Sequence, residues 1–220
     1  GLVIIAFFVI VSLLAPVLNP YDPARDRDLR ARLNPPSAEH WFGTDELGRD
    51  MFTRVWYGGR ISLRVGLAAV AMSVVVGTLL GLAAGYLGGW VDTLAVWLID
   101  ILLAFPGILL AIAIVATLGP SLTNALIAIS ITQVPIYMRL TRAVVLSIKE
   151  SEYVQSARAL GAAGGRVVFR HVLPNSLSPI IVQVTLSIGT AILDVAALGF
   201  LGLGAQPPNP EWGLMIRDGF

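Results

Sequence analysis

Long uncharged, apolar stretches alternate with shorter polar segments along the chain, and most of the apolar stretches approach or exceed the roughly 20 residues that a membrane-crossing helix needs. The first, GLVIIAFFVIVSLLAPVL, fills positions 1–18. A polar segment at 19–60 follows, with seven arginines and seven acidic residues among prolines, and it reads as extramembrane chain with short helices. A second apolar stretch runs over 65–91 and closes at Gly88 and Gly89. The third, about 93–117, is ended by the turn Gly119-Pro120-Ser121, because proline stops one helix and starts the next. The fourth covers about 122–138, and a basic interruption at 139–175 separates it from a fifth at about 177–201. The tail, 202–220, is polar and proline-rich. These elements predict an all-α, polytopic membrane protein with five spans. Pro106 and Pro135 should kink the third and fourth.

Composition agrees. Hydrophobic residues make up 56% of the chain and charged residues 13%, with a mean hydropathy of +0.79, where a soluble domain carries about 25% charge. The first stretch has no basic region before it and no small-residue cleavage site after it, so it is a membrane helix rather than a leader, with its start expected upstream of Gly1. Charge leaves the orientation open: seven basic residues lie in 19–60 and six in 139–175, and acidic residues weigh little.

The chemistry of an enzyme is absent from the pattern. No phosphate-binding loop GxxxxGK[ST] occurs, and GAAGGR at 161–166 lacks its lysine and hydroxyl. There is no HExxH or GxSxG, and no acid pair at helical spacing inside a span. The net charge of +1, split between two clusters, gives no nucleic-acid surface. Without cysteine, and with only His40 and His171, no metal site or bound cofactor is expected. Asp100 and Asp194 are the intramembrane polar candidates, each of which either pairs with a neighbouring helix or lines a water-filled path.

The basic interruption reads as two short helices. Ser151 is placed to cap the first, Glu152 sits at its positive end, and Val154, Ala157 and Leu160 recur every third residue as one apolar face. Gly161 supplies the left-handed stop, and RVVFRHV leads to Leu173-Pro174. By itself this is either a basic loop or a helix whose small side chains suit close docking on another protein.

SEYVQSARALGAAGGRVVFRHVLPNSLSP (151–179) resembles the EAA loop of ABC-importer permeases: EAA, three residues, glycine, then Leu-Pro twelve and thirteen residues later. Gly161, Leu173 and Pro174 fit, while the EAA itself falls on Gln155, Ser156 and Ala157. HWFGTDELGRDMFTRVWYGGRISLRVGL (40–67), DILLAFPGILLAIAIVATLGPSLTNALIA (100–128) and LGFLGLGAQPPNPEWGLMI (198–216) are similar to the C-type permease subunits of dipeptide, oligopeptide and nickel importers. Trp97 and Asp194 depart from that pattern, where arginine and glutamate are usual.

The resemblance implies a type I importer transmembrane domain in a prokaryotic inner membrane. A membrane helix and external segment over 1–60 would precede a permease domain over 61–220, with a sixth helix expected beyond Phe220. It implies a second permease subunit, two cytoplasmic ATPases holding ATP and Mg, and an external peptide-binding protein as partners. The cytoplasmic coupling loop would lie at about 140–175, with Glu152, Tyr153, Gln155, Ser156, Ala157, Arg158, Ala159, Leu160, Gly161, Leu173 and Pro174 as its ATPase-coupling residues. Short peptides are the expected cargo. Nickel chelates or another small solute, or a passive channel or scaffold, are the alternatives.

Overall fold

The computed structural model describes residues 2–19 and 21–219, so Gly1, Pro20 and Phe220, which fall in the expected first span, external segment and tail, lie outside the described residues. Among the described residues the structure is helical, with no β-structure beyond one isolated bridge between Thr44 and Asp50. The long helices are α1 (Leu2–Leu18), α2 (Met51–Leu87), α3 (Gly89–Leu103), α4 (Gly107–Leu118) and α5 (Leu122–Ile148). After them come α6 (Glu152–Ala159), α7 (Gly164–Val167), α8 (Leu173–Phe200) and α9 (Trp212–Asp218).

Among the described residues two helical stretches are long and apolar enough to cross a membrane, Met51–Leu87 and Gly164–Phe200, each of 37 residues. A third crossing is available if α3 and α4 form one span, but they meet at an angle of 88°. The kink expected at Pro106 is thus a full break between two helices. Pro106 has no N–H to donate to Leu102, and the helix stops at Leu103 and restarts at Gly107. The second helix begins well before the predicted apolar boundary, so 51–60 belongs to the long α2 rather than to a separate short helix of the external segment. Asp50 starts it, accepting the Thr53 N–H at 2.7 Å.

Contacts divide the chain into two compact units. The first comprises Gly1–Leu67, Ile114–Leu126 and Ile192–Phe220. Within it, a row of edge-on and tilted ring contacts joins Phe7 and Phe8 of α1 to Trp56 of α2, then Phe52, then Trp41 and Phe42 of the preceding loop. The tail is clasped to the start of α2. Trp212 Nε1 donates to the Val55 carbonyl at 2.9 Å, and the fully buried Glu211 accepts from Ser62 Oγ and from the Gly213 and Leu214 N–H groups.

The second unit comprises Ala68–Ala113 and Ile127–Ala191. Its central contact is α2 against α5, and it depends on Gly77, Gly81 and Gly85, one face of α2 at every fourth residue. A Cβ on Gly77 would lie 2.6 Å from Tyr137 Cβ, one on Gly81 would lie 2.6 Å from the Met138 carbonyl oxygen, and one on Gly85 would lie 2.9 Å from Val145 Cβ. Absent side chains let the two backbones approach, the packing that membrane helices use where no hydrophobic driving force separates helix from lipid.

Candidate functional site

The segment singled out by its motif lies in the second unit, at the ends of α2 and α5. Helix α5 stops at Ile148, and Lys149 Nζ donates to the Gly85 carbonyl at 3.0 Å, which fixes the turn against α2. Ser151 has the extended backbone of a cap, but its hydroxyl makes no cap hydrogen bond and donates instead to the Ile148 carbonyl at 2.5 Å. The expected side-chain cap is thus corrected. Ser151 closes α5 rather than opening α6, although its carbonyl still accepts from Val154 and Gln155.

Val154 is the one buried residue of α6. It belongs to a cluster with Leu82, Val145, Val167 and Val172, packed round by Tyr86, Ile148 and Leu173. The Arg158 guanidinium lies over the Tyr86 ring at 5.1 Å from its centroid, a second tie to α2. The helix ends as predicted. Gly161 has φ +81°, its N–H bonds the Arg158 carbonyl at 2.9 Å, and the Ala162 N–H bonds the Ala157 carbonyl at 3.0 Å. That pair of bonds, closed by a left-handed glycine, satisfies carbonyls that a helix end otherwise leaves free.

The predicted apolar face is only partly right. Val154 is buried and Ala157 half-buried, but Leu160 is 89% exposed. Glu152, Tyr153, Gln155, Ser156, Arg158 and Ala159 are also exposed. What the fold presents is therefore a short, anchored helix with almost its whole outer surface uncovered. Leu173 packs on the Val154 cluster and Pro174 is exposed on the helix beyond. Between α6 and Pro174 the chain is helical from Gly164, with a π-turn over Val168–Val172. Pro174 has no N–H for the Arg170 carbonyl, and a wider turn there is the expected accommodation.

Asp100 accepts from Arg139 at 2.6 Å, with both side chains about half exposed. Asp194 is half-buried and belongs to the first unit, whereas Asp100 belongs to the second. A pairing that residue order did not reveal joins Asp92 at the start of α3 to Arg142 of α5 through two hydrogen bonds, Arg142 Nη2 to Asp92 Oδ2 at 2.6 Å and Nε to Oδ1. The glycine stripe on α2 was legible in principle as GTLLGLAAG at 77–85. Among the described residues no group of three His, Asp or Glu is arranged to hold a metal ion.

Comparison with known proteins places this geometry. Residues 77–220 match the family described as binding-protein-dependent transport system inner membrane component. Residues 1–36 match the N-terminal TM domain of oligopeptide transport permease C. The chain is 58% identical over 218 residues to the dipeptide transport system permease protein DppC of Alkalihalophilus pseudofirmus, covering 99% of this chain and 71% of that protein. It is 48% identical over 217 residues to a probable D,D-dipeptide transport system permease protein of Escherichia coli, covering 99% of this chain and 72% of the relative. It is also 44% identical over 214 residues to a glutathione transport system permease protein of Pectobacterium atrosepticum, covering 97% and 71%. Taken with the fold, these likenesses show that the chain belongs to the inner-membrane permeases of binding-protein-dependent ABC transport systems, as a non-catalytic C-type subunit of the peptide importers.

Proposed function

We propose that this chain forms, with a second and different permease subunit, the membrane path of an ATP-driven importer of short peptides, and that α6 is its docking point for a cytoplasmic ATPase. An external binding protein delivers the peptide, and two ATPase subunits carry the ATP and Mg that drive the cycle. The named cargoes of the relatives, dipeptides, D,D-dipeptides and glutathione, support short peptides as the substrate class. In this reading 1–60 is the leading helix and external segment, and 61–220 is the permease domain.

The observation that carries the proposal is the contrast between the two sides of α6. One side is fixed by Val154 and Arg158 to α2, while Tyr153, Gln155, Ser156, Ala159 and Leu160 are uncovered. An eight-residue helix is too short to persist alone in water, so its shape is maintained by those anchors and by the Gly161 turn. Displacing it moves the end of α2 and the start of the 37-residue helix Gly164–Phe200. Coupling follows if the docked helix favours one state of both the ATPase and the permease, since a contact equal in both states transmits nothing.

Topology is assigned from the number of crossings and the motif resemblance. Segment 19–60, the turn at 119–121 and the tail from 202 form one group, and 86–92 and 140–175 form another. We assign the first group to the outer face and the second to the cytoplasm, with five crossings in which α3 and α4 together make the third. Asp100, held by Arg139, is assigned to pairing within the protein.

Leu160→Asp tests the docking role. Leu160 is 89% exposed in this chain, so the substitution leaves its fold intact, yet it would put an unpaired charge into a docked interface at a cost of ~2 kcal/mol or more. The variant should insert and pair with the second permease but lose the ATPase on copurification. Wild-type peptide uptake by the variant at normal expression would refute the proposal.

A further inference from the structure

Pairing within the protein accounts for only part of Asp100 and Arg139. Arg139 Nη2 donates to Asp100 Oδ1 in a single hydrogen bond, and the aspartate and arginine side chains keep 54% and 58% of their surface uncovered. The neighbouring pair on the same two helices is built differently. Arg142 bonds both carboxylate oxygens of Asp92, and that pair is better covered. Asp92 also sits in the first turn of α3, near a helix end where water is within reach.

Depth makes the contrast matter. In the topology proposed above, α3 starts and α5 ends at the cytoplasmic face. Helix α5 has 27 residues, a length of about 40 Å against about 30 Å of hydrocarbon. Arg139 lies nine residues before its end at Ile148, which puts it roughly 9 Å inside the apolar layer when the helix is centred there. Asp100 lies eleven residues beyond Gly89, about 16 Å into α3. A long arginine reaches back towards the membrane surface, but an aspartate with a single methylene does not. A half-uncovered carboxylate at this depth therefore faces a water-filled path or another protein surface rather than lipid.

The atoms left over on the pair favour the path. A guanidinium has five N–H donors and the bond to Asp100 uses one, while Asp100 Oδ2 accepts from no described residue. On α5 the same face continues, at steps of three and four, through Thr132, Ile136, Ala143 and Ser147. It is mixed in polarity, with Ile136 its one large apolar side chain, unlike the aromatic and apolar centre of a packed subunit interface.

We propose that this face of α3 and α5 lines the aqueous path, and that Asp100 and Arg139 select a zwitterion within it. The ammonium end of a short peptide meets Asp100 Oδ2, and its carboxylate end meets the remaining N–H groups of Arg139. The pair is neutral when empty and need not break when loaded, so it recognises both termini without holding either through a net charge. The proposal rests on the importer reading and adds the residues that meet cargo inside the membrane.

The test is modification of single cysteines by a sulfonate-bearing methanethiosulfonate on the complete transporter in lipid nanodiscs. The chain has no native cysteine, and the reagent requires a thiolate in contact with water. Ile136→Cys, one turn deeper than Arg139 on the same face, should react about tenfold or more faster than Val75→Cys, which is exposed on α2 opposite its glycine face. A dipeptide with free termini should slow the reaction at Ile136→Cys, and the same dipeptide acetylated and amidated should not. Adding Asp100→Asn with Arg139→Gln, which retains a neutral hydrogen-bonding pair, should raise the dipeptide concentration for half protection about tenfold or more, the loss expected for a hydrogen bond to a charged group. Reaction at Ile136→Cys no faster than at Val75→Cys would overturn the proposal and place this face against lipid or the second permease. Equal protection by the free and blocked dipeptides, protection by neither, or no change on neutralising the pair would overturn the selective role. Absence of ATP-driven dipeptide uptake by the unsubstituted transporter is a separate result, and it would refute the importer reading instead.

Discussion

Val154→Ala separates anchoring of α6 from stability of the bundle. The Val154 side chain is fully buried against Leu82, Val145, Val167 and Val172, and it is the only buried residue of its helix. Removing two carbons forfeits about 1.6 kcal/mol of transfer free energy, and the cavity raises the loss to about 2 kcal/mol. The remaining tie, Arg158 over Tyr86, contributes about 0.5 to 1 kcal/mol at an exposed site. Because eight residues cannot hold a helix alone, the loss falls on the local opening equilibrium of α6 and multiplies the open fraction about thirtyfold. Hydrogen exchange reads this directly. The Leu160, Gly161 and Ala162 amides, bonded to the Ser156, Arg158 and Ala157 carbonyls, should exchange about thirtyfold faster. Amides of α2 between Gly77 and Gly85 should be unchanged, and peptide-stimulated ATP hydrolysis by the assembled transporter should fall. Unaltered protection at the three reporter amides, or equal acceleration throughout α2, would refute the reasoning.

Other outcomes follow from the same geometry. Gly161→Val forces a β-branched residue to φ +81°, costing ~1 to 3 kcal/mol, whereas Gly161→Asn should be tolerated; uptake with matched expression distinguishes them. Gly81→Leu drives a side chain into the Met138 carbonyl and Thr141, so the α2 and α5 pair should separate and the thermal midpoint in detergent should drop, while Leu79→Ala, on the exposed side of α2, should leave it near wild type. Partial burial raises the Asp45 pKa, but the Arg49 and Leu47 N–H groups and the Arg49 guanidinium outweigh it and hold the carboxyl below its ordinary 3.8. A depressed carboxylate stabilises the segment above pH 3.8 and loses that contribution as pH falls through the folded value, so proteolysis of 19–50 should accelerate in acid, and Asp45→Asn should flatten that dependence.

Residue order revealed the helices whose cause is local. Apolar runs set the long helices, and Gly161 ended α6 because only a left-handed residue closes that turn. It misjudged features decided by distant partners. Pro106 marked the break between α3 and α4 correctly, but its 88° angle was not legible from the proline alone. Leu160 was grouped with Val154 because every third residue was apolar. Six residues at about 100° each place the two about 120° apart, and only the first meets the core. Likewise Asp92 and Arg142 lie 50 positions apart, and their pairing exists only once Gly77, Gly81 and Gly85 have brought α2 against α5.

The central claim, that α6 meets an ATPase at the cytoplasmic face, is tested most directly by a cysteine at Ser156. The chain has no native cysteine, so the label is unambiguous. In the assembled transporter, a short bifunctional maleimide at that position should join this chain to an ATPase subunit. An impermeant maleimide should reach it from the cytoplasmic side only, while a cysteine at Ser37 labels from outside. Labelling of Ser156→Cys from outside, or failure to crosslink the ATPase in an active complex, would contradict the account.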